Sequence, residues 1–173
     1  MGFFSKKITT NKITESLIGF FDAGYSSLIN GIMDLLKKEQ EAVNKEQNKE
    51  LLVISMLAIT RAVLAAFGDT PKTKNIIGKF QHDVFNKYFK DEEEKNQFGE
   101  LFWKRCDEYS KVLNPENKDL GIQFGQIFCN HFFGKEEDGN HLAIMTFIGG
   151  SFFNEMINIK KFLDEVISKF EVI

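Results

Sequence analysis

Proline, cysteine and arginine are all scarce in this chain of 173 residues, which holds two of each. Proline interrupts helices, so its scarcity leaves long stretches free to be helical, and Pro71 and Pro115 both fall at expected joints. Cys106 and Cys129 are separated by 23 positions with no CxxC spacing, which argues against a structural zinc site or a redox pair and fits a reducing, cytoplasmic setting. Arg61 and Arg105 are the only side chains suited to bidentate phosphate recognition, and the net charge is -3. A field of that sign gives no general attraction for nucleic acid, which is not expected as a partner.

Other signals are missing too. The first seven residues, MGFFSKK, lead into Thr9, Thr10, Asn11 and Lys12 rather than an apolar run, so no export signal is expected. Lys6 stands where an N-terminal acylation pattern needs Ser or Thr. No GxGxxG, P-loop, HExxH, GxSxG or CxxCH occurs, so no cofactor and no catalytic set is assigned. Residues 51–67 are apolar except for Ser55, Thr60 and Arg61, yet this run is short for a bilayer and carries an arginine. It is read as the central helix of a bundle, with no transmembrane segment. No stretch alternates long enough to predict a strand, and no β-sheet is expected.

What the chain has in excess is phenylalanine. There are 19, and most lie at or after Phe80, so the second half should hold the bulkiest part of the core. A chain of this length buries roughly two thirds of its unfolded surface and can form one domain without metals or disulfides. Residues 1–173 are read as a single all-α domain, with residues 1–10 as a flexible N-terminal segment.

Apolar spacings of three and four predict about six helices. The first runs from about 11 to 38 with Ile18, Phe21, Tyr25, Leu28, Ile32 and Leu35 inward. Residues 37–50 are polar and mixed in charge, either a helical extension or a solvated connection. The second helix covers 50–67 and stops at Gly68; the third covers about 73–89. The fourth begins at Asp91, before three glutamates that suit a helix N-terminus, and ends at Asn114–Pro115. The fifth covers about 116–133 and stops at Gly134. The sixth and longest covers about 140–170, with a kink or a close helix crossing expected at Gly149–Gly150.

Polar residues on apolar stripes are the functional leads. Arg61 shares a helix face with Ile54, Leu57, Ala58, Leu64 and Ala65. It is either an anion anchor in a pocket or a cation whose stem reaches solvent. Glu155 lies on the stripe of Ile148, Phe152 and Ile159, and Asp22 lies beside Ile18, Tyr25 and Ile29. A buried carboxylate must be paired, hydrogen-bonded or protonated, and Arg61 is the obvious partner for either. His131 accompanies Phe124, Ile127 and Phe128, either as a core histidine or as a ligand or base. Arg61, Asp22, Glu155, His131 and Tyr25 are thus the candidate ligand-binding set. Glu137, Asp138 and His141 come near a metal-ligand spacing, but Gly139 breaks the helix face they would need, and no metal site is assigned.

Two functional readings follow. The first is a non-catalytic helical module acting through protein contacts, with a protein partner or self-association. The second is a small-molecule binder with an aromatic-lined pocket between the first, second, fifth and sixth helices, and Arg61 as its anion anchor.

Overall fold

The computed structural model describes residues 6–36, 43–113, 119–135 and 141–173. The first five residues, the Asn114–Pro115 stop and the Glu137–Asp138 pair lie outside them. The described chain is an all-α bundle of six helices: α1 (Thr10–Leu36), α2 (Lys45–Phe67), α3 (Pro71–Tyr88), α4 (Glu92–Ser110), α5 (Leu120–Phe133) and α6 (Leu142–Lys169).

Local chemistry sets most of the boundaries. Asn44 accepts from the Gln47 backbone N–H at 3.0 Å while the Gln47 side chain accepts from the Asn44 N–H at 2.9 Å, a reciprocal cap that starts α2. The helix therefore begins five residues before Glu50, inside the polar stretch. Thr70 caps α3 and Pro71 fills its first position, where a missing N–H leaves nothing unsatisfied. Asp91 accepts from Glu94 N–H at 2.6 Å and opens α4. Gly134, at φ 67°, ends α5 in the left-handed region that glycine enters without a Cβ clash.

The core is centred on α2, which packs against all five other helices. Every residue from Leu51 to Thr60 is buried, so this helix is apolar nearly all round rather than along one stripe. By length and composition α2 and α6 could each cross a membrane; α2 is mostly buried inside the bundle, whereas 33% of the apolar stretch of α6 is buried. The phenylalanine-rich second half forms a continuous aromatic run: Tyr109 stacks on Phe124 at 4.6 Å, and Phe124 on Phe152 at 4.1 Å.

α6 runs through Gly149–Gly150 as one uninterrupted helix. Gly149 sits at a close helix crossing. A Cβ there would collide with the Gly121 backbone, and one at Gly125 with the Met145 backbone, so α5 and α6 meet main chain to main chain.

Against the expectation of no strand, residues 6–8 form β1 (Lys6–Ile8), which pairs in parallel with β2 (Phe170–Val172). The pairing extends through Thr10 N–H to Ile173 O at 3.0 Å and Ile173 N–H to Ile8 O at 2.9 Å. Part of the N-terminal segment expected to be flexible is therefore held by the last residues of the chain. Strands of three residues carry no alternation to read, and this pairing joins positions that are distant in sequence.

Candidate functional site

Arg61, nearly two turns before the C-terminal end of α2, projects between α4, α5 and α6. Its Nη2 donates to Ser110 Oγ at 2.6 Å, and Ser110 in turn donates to the Cys106 carbonyl at 2.5 Å. Beside it opens a cleft of about 480 Å³ lined by Leu64, Ala65, Leu113, Leu120, Phe153 and Met156. Among the described residues Arg61 is the only ionisable side chain in that lining, and no carboxylate is paired with it. Its partner is a neutral hydroxyl. Burial pushes the nearby Cys106 thiol up to about 12 against the opposing effect of the Arg61 charge, so Cys106 is a protonated, unreactive packing residue.

The expected convergence of Asp22, Arg61 and Glu155 does not occur. Asp22 accepts from Lys87 Nζ of α3 at 2.6 Å, with its side chain 40% exposed. It lies at the side of the α1 stripe, where α3 is the neighbour, so an exposed lysine reaches it first. Glu155 faces α1 rather than α2: its carboxylate lies over Gly24, in the space a side chain there would fill. Its Oε1 is buried with no hydrogen-bond partner among the described residues, and burial pushes the carboxyl up to about 7.

Tyr25 is buried, and its hydroxyl donates to Asn48 Oδ1 at 2.6 Å. Burial raises the phenol to about 12, and its ring meets Phe21 and Tyr88 at 5.7 and 5.4 Å. It ties α1 to α2 and α3 and does not line the Arg61 cleft. His131 lies 2.6 Å through Nε2 from Glu108 Oε2 and borders a shallow surface groove with Lys111, Val112, Ile127 and Asn130.

The buried ion pair that the sequence leads one to seek exists between other residues. Arg105 Nε donates to both Glu50 oxygens at 3.0 Å, and Nη2 to Glu50 Oε1 at 2.7 Å, while Nη1 donates to Glu108 at 3.1 Å. His131, Glu108, Arg105 and Glu50 thus form one chain linking α5, α4 and α2. Burial works against the guanidinium charge, but Glu50 and Glu108 more than offset it and hold Arg105 above its ordinary range. Beneath this chain the Tyr109 hydroxyl is buried without a partner among the described residues, and burial raises it well above its ordinary value.

A signal for this pair was present. Arg105 stands three positions after Phe102 and four before Tyr109, on the apolar stripe of α4; Glu50 opens the apolar run of α2 one turn before Ile54. Among the described residues no three or more His, Cys, Asp or Glu side chains gather as metal ligands. Comparison of the chain with protein-family models, with characterised protein sequences and with solved structures finds no match to any of them.

Proposed function

We propose that the chain binds an amphipathic monocarboxylate, its carboxylate on Arg61 and its apolar tail in the cleft between α2, α5 and α6. The observation that carries this reading is an arginine at the edge of an apolar cleft, whose one hydrogen-bond partner among the described residues is a neutral serine. The cleft volume lies within the range of small-ligand sites, roughly 300–1,000 Å³. A guanidinium offers a fork of donors that matches a carboxylate, and the apolar wall beside it would take the tail. A single ionisable residue among the described lining suits binding rather than catalysis.

The alternative of a protein-contact module has less support. The large exposed hydrophobics, Met33, Trp103, Ile122, Leu142, Ile157, Ile167 and Ile173, are divided among α1, α4, α5, α6 and the final residue. Single exposed hydrophobics are ordinary on protein surfaces. The cleft is the more specific feature.

Isothermal titration calorimetry with butanoate, hexanoate and octanoate tests the proposal. Each added methylene buried is worth about 0.8 kcal/mol, so affinity should climb about fourfold per carbon along the series. Arg61→Met keeps the apolar stem and removes the charge; it should weaken octanoate by about tenfold or more, since hydrogen bonds to charged groups contribute about 1.5–3 kcal/mol. Equal affinity of the variant and the parent, or of octanol and octanoate, sinks the reading.

A further inference from the structure

On the flank of α6 away from Arg61, a groove of about 250 Å³ separates α6 from α1. Ser27 on α1 and Ser151, Asn154 and Asn158 on α6 border it, with Phe20 at one side and the Glu155 carboxylate at its base. It shares no lining residue with the Arg61 cleft.

We infer that this groove is a second binding site, specific for a primary ammonium group held by Glu155. Three observations converge on it. Glu155 Oε1 is buried with no hydrogen-bond partner among the described residues. Among the described residues Glu155 is the only titratable side chain in the lining, from α1 or from α6, and no cation of that lining neutralises it. Gly24 makes the arrangement possible, because any side chain there would occupy the carboxylate's place.

A buried carboxylate without a counter-charge is costly, and the cost is removed when a cation arrives. The kind of cation follows from the lining. Calcium and magnesium take several oxygen ligands, usually more than one of them a carboxylate, whereas this groove offers a single carboxylate among neutral hydroxyls and amides. An ammonium has three donors on a compact centre, which the Glu155 carboxylate and the serine and asparagine oxygens can accept. The Phe20 ring supplies apolar cover for the carbon attached to nitrogen. Burial alone raises the Glu155 carboxyl to about 7, so an arriving ammonium displaces a proton near neutral pH.

The experiment is calorimetric titration of the full chain with butylammonium chloride at low salt. Saturable one-site binding is expected at pH 8, at least tenfold weaker at pH 5.5, where Glu155 is protonated. At pH 6.5, repeating the titration in two buffers of different ionisation enthalpy should reveal proton release on binding. Glu155→Gln, which removes the charge and keeps the shape, should bind at least tenfold more weakly, its fold checked by circular dichroism. Arg61→Met should bind butylammonium as the parent does, which separates this site from the carboxylate cleft. Absence of saturation in the parent, undiminished binding in Glu155→Gln, butanol binding as tightly as butylammonium, or no proton release would each overturn the inference.

Discussion

A carboxylate buried without a partner weakens the folded state only while it is ionised. Glu155 is raised from its ordinary 4.5 to about 7, so the folded chain holds this proton more tightly than the unfolded chain does. Its contribution to stability is therefore fully present below about pH 4.5 and is lost as pH rises through 7. The shift corresponds to on the order of 3 kcal/mol, less what water reaching the groove recovers. Glu155→Gln should melt about 3–8 °C above the parent at pH 8 and level with it at pH 4, read by scanning calorimetry. A difference of the same size at both pH values would show that the carboxylate charge is not the cause. Arg105 and Glu50 present the opposite case, a buried pair in which each charge is satisfied. Arg105→Met alone leaves Glu50 buried and unpaired, and should destabilise by about 3–5 kcal/mol in urea unfolding. The double variant Glu50→Leu with Arg105→Met should recover most of that loss, because it removes both desolvated charges together.

Between α5 and α6, two neighbouring glycines have different reasons to be glycine. Gly149 faces the Gly121 backbone, whereas a Cβ at Gly150 would meet open space. Gly149→Ala should therefore cost about 1–3 kcal/mol through overpacking. Gly150→Ala should stabilise α6 by about 0.5–1 kcal/mol, because glycine in a helix interior loses more backbone freedom than alanine. Thermal unfolding of the two variants should move in opposite directions, and shifts of one sign for both would contradict the crossing. Much of this was readable beforehand: Gly149 lies four positions after Met145 and three before Phe152, on the stripe that faces the core. The six helices were readable for the same reason, since spacing of three and four needs only local sequence. Their ends were read less well where a cap overrides apolarity, as at Asn44–Gln47, which draws α2 back to Lys45. The end of α4 also departs from expectation, at Ser110 rather than near Asn114.

Across the whole molecule, what one-dimensional patterns cannot supply is which face meets which. The stripes place Asp22, Arg61 and Glu155 on or beside apolar faces, but the bundle turns Asp22 towards α3, Arg61 towards α4 and Glu155 towards α1. Neighbour identity is a long-range property, and the pairing of β1 with β2 is its extreme case. It joins Lys6 to Phe170 and Ile8 to Val172, closing a loop that contains nearly the whole chain. Closing so long a loop cannot be repaid until the helices between have packed, so these contacts should form after the core and open before it. Three paired residues at a surface give little cooperativity of their own, although Val172 is buried and its carbonyl receives Lys72 Nζ. Native-state hydrogen exchange should therefore show the amides of Thr10 and Ile173, which bond across this junction, opening at a free energy well below that of global unfolding. Amides in the buried middle of α2, such as that of Leu57, should exchange only through global unfolding. If the Ile173 amide proved as protected as that of Leu57, the chain ends would belong to the same cooperative unit as the core, and the strand pair would be a structural keystone rather than a late clasp.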